Sequence, residues 1–255
     1  MKLWVLSENT AAAGFSAEHG LSLYIEACDQ RILFDAGQST LFSENAEKLG
    51  LALGEVDLAI LSHGHYDHGG GLTHFLALNT TAPIYLSRHA FEPHHNAQSK
   101  DIGLGIGLRS CPRLEFVDEE RILAPGLRLL SCNRMDRPFP TDPFGLTADG
   151  EPEDFRHELY LLIEEDGKRI LISGCSHKGI LNIAAWFAPD VLVGGFHFNK
   201  IPPQDPRLIC AAEELSKHPT IYYTGHCTGQ AQFDAMKPIL GNRLQAIHAG
   251  CLFQF

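Results

Sequence analysis

Ser62-His63-Gly64-His65-Tyr66-Asp67-His68 is the stretch on which the reading of this chain turns. It follows directly on Val56 to Leu61, an apolar run interrupted only by Asp57, which reads as a buried strand. Residues at i, i+2 and i+4 of an extended segment project to one side, so His63, His65 and Asp67 face a common point. His68 can face a second point once the chain turns through Gly69 and Gly70 into a helical stretch, Leu72 to Leu78. Imidazoles with one carboxylate suit Zn²⁺ and related divalent ions, whereas calcium or magnesium would draw mainly on oxygen ligands. A polar turn with satisfied histidines is the plainer alternative, but packing gives no reason to gather these residues at a strand end.

Working outward, short strand-like runs precede the cluster at Leu3 to Leu6, Leu21 to Ala27 and Arg31 to Phe34, and a helix is expected over Ser39 to Leu49, ahead of Gly50. Downstream, strands are expected at Ile84 to Leu86, Leu114 to Val117, Leu127 to Leu130, Leu159 to Glu164, Arg169 to Ile172, Val191 to Val193, Ile221 to Tyr223, Leu244 to Ile247 and Leu252 to Phe253. Helices are expected at His177 to Phe187, Pro206 to Lys217 and Gln230 to Leu240. Strands dominate the first half and βα alternation the second, which fits packed sheets with helices outside. Asn96 to Ser110 and the proline-rich Asn133 to Arg156 read as long loops, and loops of that length in a compact domain tend to bind or cover something. The glycines at 103, 105 and 107 neither follow a clear strand nor open a helix, so no dinucleotide site is read there.

Composition narrows the classes. At 255 residues, 44% hydrophobic and 20% charged, the chain fits one large globular domain and excludes disorder and coiled coil. Neither a membrane-spanning run nor a signal peptide is recognised, and a cytoplasmic location is expected. Twenty Lys and Arg against 31 Asp and Glu leave a net charge of −11, which disfavours nucleic acid and anionic membrane as partners. The seven cysteines are odd in number and form no CxxC pair, so reduced thiols are expected. Fourteen histidines are a surplus that metal binding would explain.

His63, His65, Asp67 and His68 form the His-x-His-x-Asp-His pattern, and with the upstream Phe34-Asp35-Ala36-Gly37 turn the chain resembles the metallo-β-lactamase fold family. The resemblance implies an α+β architecture, a single-domain four-layer αββα sandwich, with one or two divalent metal ions at one edge, most simply zinc, with iron or manganese as alternatives. In Ser173-Gly174-Cys175-Ser176-His177, Cys175 stands where the family usually has a metal-bridging Asp, and it is either a ligand or a small buried residue. The next histidine ligand is either His177 or His157; the block Gly174 to Ile180 favours His177. Thr224-Gly225-His226-Cys227-Thr228-Gly229 supplies the last, His226. His197, in Gly194-Gly195-Phe196-His197, is expected at the substrate or in the core, and Asp35 behind the histidine loop. His74, His89, His94, His95, His218 and His248 have no motif support and are read as structural.

The Gly-Cys-Ser-His, Gly-Gly-Phe-His and Gly-His-Cys-Thr-Gly blocks resemble a branch of metal-dependent hydrolases that includes ribofuranosylaminobenzene phosphate synthase-like proteins. The resemblance implies hydrolysis of a small ester, phosphoester, lactone or related substrate by metal-activated hydroxide. His63, His65 and His177 would hold one ion, and Asp67, His68, His226 and Cys175 the other, with Asp67 and His197 closest to the chemistry. The positive charge of such a centre would let even an anionic small molecule dock on this acidic chain. The rival is a phosphoribosyl-transferring synthase acting on an aminobenzoate or pterin-type substrate. Two weaker readings are a di-iron oxygen- or nitric-oxide-reducing centre and a non-catalytic metal-sensing module.

Overall fold

The computed structural model describes residues 1–255, the side chain of Ile106 excepted. The first half of the chain runs β1 (Lys2–Ser7), β2 (Ser22–Ala27), β3 (Gln30–Phe34), α1 (Leu41–Lys48), β4 (Leu58–Ile60), α2 (Tyr66–Gly69), α3 (Leu72–Leu78), β5 (Ile84–Ser87), β6 (His94–His95) and β7 (Leu114–Val117). The second half runs β8 (Glu120–Ala124), β9 (Leu127–Leu130), β10 (Thr147–Ala148), β11 (Glu151–Pro152), β12 (Tyr160–Glu165), β13 (Lys168–Ile172), α4 (Ile180–Phe187), β14 (Val191–Val193), α5 (Pro206–Ser216), β15 (Ile221–Thr224), α6 (Gln230–Leu240), β16 (Leu244–Ala246) and β17 (Leu252–Gln254). Two seven-stranded mixed sheets form, in the orders β17-β1-β2-β3-β4-β5-β7 and β16-β15-β14-β13-β12-β9-β8.

Alternation along the strands builds the layers. Leu23, Ile25, Ile32 and Phe34 of the first sheet meet Leu127, Leu129, Leu161, Ile163, Ile170 and Ile172 of the second in a buried inter-sheet core. The residues between them point outward: Tyr24 and Leu33 pack with Phe42 of α1 and Phe75 of α3. Tyr160, Leu162, Leu171 and Leu192 pack with Ile183 of α4, Ala212 of α5 and Met236 of α6. Both faces of each sheet are therefore apolar, which is why these strands read as continuous hydrophobic runs. The result is the expected αββα sandwich.

The strands that matter for the site run parallel. β3 pairs with β4, placing Phe34 opposite Ile60, and β13, β14 and β15 pair in sequence through Ile172, Val193 and Tyr223. Parallel strands deliver the loops that follow them to one edge. Asp35, Ser62 to His68, Ser173 to His177, Gly194 to His197 and Gly225 to His226 all leave from that edge.

Differences from the sequence reading have local causes. The helix expected from His177 begins at Ile180, because Ser176 at φ 57° and Gly179 at φ 89° break the helical path and leave His177 in the turn. β8 escaped notice because it is a charged, largely exposed strand at the end of its sheet, a composition that discourages further pairing. The loop at 133–156 is not free-standing: its β10 and β11 pair with each other, and β10 pairs with β6, which immediately precedes the loop at 96–110. No helix among the described residues is long and apolar enough to cross a membrane.

Candidate metal centre

Asp35 organises the histidine loop from behind. It lies just past β3 in a left-handed conformation, φ 59°, fully buried. One carboxylate oxygen accepts from the Ser62 amide at 2.7 Å; the other faces the Ser62 hydroxyl and His68 Nδ1, each at 2.7 Å. An ionised carboxylate only accepts, so His68 carries its proton on Nδ1 and turns the Nε2 lone pair forward. Ser62 spends its one hydroxyl proton on Asp35 and must accept from His63 Nδ1, 2.8 Å away, which likewise frees Nε2 of His63. One carboxylate thus sets two tautomers.

His226 is prepared the same way. Asn9 Oδ1 accepts from its Nδ1 at 2.9 Å, leaving Nε2 to face His68 Nε2 at 3.2 Å and Asp67 Oδ2 at 3.4 Å. Cys175 Sγ is also 3.2 Å from His68 Nε2. Two imidazole nitrogens so close share positive charge, either a proton or a cation: burial would lower His68, but Asp35 and Asp67 raise it, and a thiol and a carboxylate complete the surround. Burial would raise Asp67, but His68, His19 and His226 hold its carboxyl well below the usual range. Burial also dominates Cys175 and, with Cys227 beside it, pushes the thiol far up, so a thiolate here would need a cation.

The other half of the centre contains only imidazoles and a shared thiol. His63, Cys175 and His177 bring donor atoms within 4.8 Å of one another, and the His65 ring lies 5.0 Å from that of His177. Nε2 of His63, Nε2 of His65 and both ring nitrogens of His177 are buried with no hydrogen-bond partner among the described residues. Native interiors rarely leave so many polar atoms unsatisfied, and a divalent cation of zinc-like softness would take the His63 lone pair and one lone pair of His177, with Cys175 between them. Burial, reinforced by neighbouring histidines, drives His63 and His177 well below their ordinary pKa; burial takes His65 down to about 3. These rings are neutral at pH 7, the state in which imidazole binds metal.

Between the two candidate third ligands, geometry separates roles. The Gly64 amide donates to His157 Nδ1 at 3.0 Å, so a neutral His157 holds its proton on Nε2 and offers a donor, not a lone pair, to its surroundings. His177 is held differently: Glu158, buried at the start of β12, accepts from the amides of His177 at 2.7 Å and Lys178 at 3.0 Å, leaving the imidazole untouched. Gly174 is needed for close approach, since a Cβ there would lie 2.3 Å from Ser62 Oγ and 3.0 Å from His63 Nδ1. Ser176, His197 and His226, like Asp35, have positive φ, a clustering of backbone strain at this edge.

The His197 ring packs against that of His177 with centroids 4.2 Å apart and the planes tilted by 60°, and burial followed by the His226 charge takes His197 down to about 4. Both rings open on a cavity of about 350 Å³ walled by Phe139, Phe144, Phe196 and Phe198. Phe139 and Phe144 belong to the long loop at 133–156, which Asn182 of α4 anchors through both hydrogen bonds to Phe139. The exposed Asp142 and Arg207, 4.0 Å apart, also line it.

Residues that the sequence left aside join the cluster. His19, for which no motif spoke, sits 3.1 Å from Asp67 Oδ2. His94, read as structural, is fully buried beside His65, with Glu153 and His157. His74, His89 and His248 do make ordinary local hydrogen bonds, to Ser43, Glu92 and Thr10.

A four-layer sandwich with a histidine-lined edge at the ends of its parallel strands defines a hydrolase-like fold built around divalent metal. The chain belongs to the metallo-beta-lactamase superfamily, whose family model matches residues 16–198. It is 27% identical over 236 residues to an uncharacterized protein of Methanocaldococcus jannaschii, covering 88% of this chain and 90% of that one. It is also 27% identical, over 298 residues, to the same organism's 7,8-dihydropterin-6-methyl-4-(beta-D-ribofuranosyl)-aminobenzene-5'-phosphate synthase, covering 100% of this chain and 97% of the relative. Among solved structures, Tm1679, a metal-dependent hydrolase of the beta-lactamase superfamily, superposes with a TM-score of 0.84 at 26% identity, over 100% of this chain and 99% of that one.

Proposed function

We propose that the protein is a metal-dependent hydrolase of a small organic substrate, with two neighbouring cation positions. The observation that carries this reading is the pair of adjoining donor sets, His63–Cys175–His177 and His68–Cys175–His226, with Asp67 beside His226 and Cys175 common to both, opening beside an aromatic-walled cavity; His65, expected with His63, groups instead with His94, Glu153 and His157. A divalent cation supplies Lewis-acid polarisation of the group under attack and lowers the pKa of water toward neutrality. The residues do the rest. Asp67, held ionised by the histidines around it, accepts a hydrogen bond from the attacking water and orients it. Neutral His197, at the cavity mouth, accepts a proton or hydrogen bond from substrate. Phe139, Phe144, Phe196 and Phe198 hold an apolar or aromatic portion and exclude water, while Arg207 meets an anionic substituent.

The test is a screen of metal-stripped and zinc-, iron- or manganese-reloaded protein against phosphodiesters, lactones, thioesters and β-lactams. Turnover of one class, restored by metal and lost in Asp67→Ala, is expected. Activity that survives in metal-stripped His65→Ala protein overturns the reading. A second reading, phosphoribosyl transfer to an aminobenzoate or pterin-type acceptor, is favoured by the synthase relative that spans the whole chain. It requires saturable binding of phosphoribosyl pyrophosphate, and a calorimetric titration without heat would dismiss it.

A further inference from the structure

Glu153 is a buried carboxylate in the loop at 133–156, just after β11, with its side chain 1% exposed. One oxygen faces His94 Nδ1 at 2.9 Å; the other has no hydrogen-bond partner. His94 comes from β6 on the facing strand pair, where Ala148 lies opposite it, and is also fully buried. Since the carboxylate accepts from Nδ1–H, the Nε2 lone pair of His94 is free, and it too is unpartnered. His65 Nε2, buried and unpartnered, reaches the same place, with all donor atoms within 4.8 Å of one another. No lysine or arginine forms an ion pair with Glu153 among the described residues; its contacts are His94 and, at 3.7 Å, His157.

We propose that His65, His94 and Glu153 form a further divalent-cation site, distinct from the two donor sets at the sheet edge. The chemistry is that of two imidazoles and one carboxylate, suited to Zn²⁺, Fe²⁺ or Mn²⁺ with open positions remaining. Glu153 does double duty: one oxygen sets the His94 tautomer, as carboxylates behind metal-binding histidines do, and the other is the anionic ligand. His157 is the neighbouring donor, because its Nδ1 already accepts from Gly64 and its Nε2–H points into the cluster, 3.7 Å from Glu153 Oε1. At that distance no hydrogen bond forms, and the oxygen keeps its lone pairs for the cation. The site ties β6 and the 133–156 loop to the histidine loop through His65, so its occupancy steadies the loop that carries Phe139 and Phe144 into the cavity wall.

The His65 lone pair serves this site and not the edge sets, and the test keeps the two apart. Full-length wild type, Glu153→Gln, His94→Gln and His226→Ala are stripped with chelator, reloaded with zinc, freed of excess by gel filtration, and assayed for metal per chain by elemental mass spectrometry. Glu153→Gln and His94→Gln are expected each to bind one equivalent fewer than wild type, and the double variant no fewer than either alone. His226→Ala is expected to lose a different equivalent, additive with Glu153→Gln. Circular dichroism confirms folding; should His94→Gln not fold, the near-isosteric Glu153→Gln decides alone. Unchanged stoichiometry in folded Glu153→Gln, with His226→Ala reduced, overturns this site and leaves the edge centre standing. Wild type that holds no metal overturns both.

Discussion

The two halves of the edge centre are built on different principles. Around His68 and His226, every donor atom has a counterpart behind it: Asp35 and Asn9 set the tautomers, and Asp67 and Cys175 bring negative charge or the capacity for it. Around His63 and His177 the rings are neutral, no carboxylate belongs to the set, and His177 has neither nitrogen engaged. The first half is organised before any ion arrives, while the second depends on the ion to satisfy it. Preorganised, anionic sites bind divalent cations more tightly, so under the proposed two-cation reading the His68–His226 half is expected to be the higher-affinity position and the imidazole half to fill second.

The sharpest way to break that ordering is to remove a charged ligand. Asp67→Ala should weaken the tighter zinc-binding event by more than about 100-fold, beyond the range typical of supporting residues, read by competition with a chromophoric chelator. An unchanged first affinity would reverse the assignment. Asp35→Asn comes next, since it disturbs His68 directly and His63 through Ser62; a loss of about 10–100-fold is expected at both positions. An effect confined to one position would show that Ser62 does not transmit the orientation.

Acid should strike the neutral half. The pKa values of His63, His65 and His177 are lowered in the folded chain, so below about 6.5 the unfolded chain binds protons that the folded one refuses. Stability rises with pH wherever the unfolded state holds more protons, so it is intact above pH 6.5 and falls through the window down to about 3 set by His65. Each such group costs about 1.4 kcal/mol per pH unit. Thermal melts of metal-free protein at pH 8, 6.5 and 5 should show little change over the first interval and a clear drop over the second. A flat profile would mean that these rings are not held neutral. The smallest expected effect is Gly174→Ala: a methyl pressed on Ser62 and His63 should destabilise the fold by about 1–3 kcal/mol in urea melts, and weaken the imidazole half more than the charged one.

Much of this was legible in the chain. The order of strands and helices fitted packed sheets with helices outside, the four-layer sandwich was what the resemblance carried by the histidine pattern implied, and Asp35 was expected behind the loop. Cys175 and His226 were expected at the edge from glycine-flanked motifs after strands, and both stand within 3.2 Å of His68 Nε2. His19, His94 and Glu153 were not legible, because each sits in a segment with no periodicity or motif of its own. A spacing of 59 residues separates His94 from Glu153, and only the β6–β10–β11 pairing closes it.

What the amino-acid order determined alone was therefore local: alternation that makes strands, and donors two residues apart that must share a side. What tertiary structure decided was which distant donors meet and which nitrogen of each ring is free. That depends on hydrogen bonds such as Gly64 to His157 and Asp35 to His68, which form only when separate strands end side by side. A histidine's identity is written in the sequence, whereas the direction of its lone pair is a property of its neighbours.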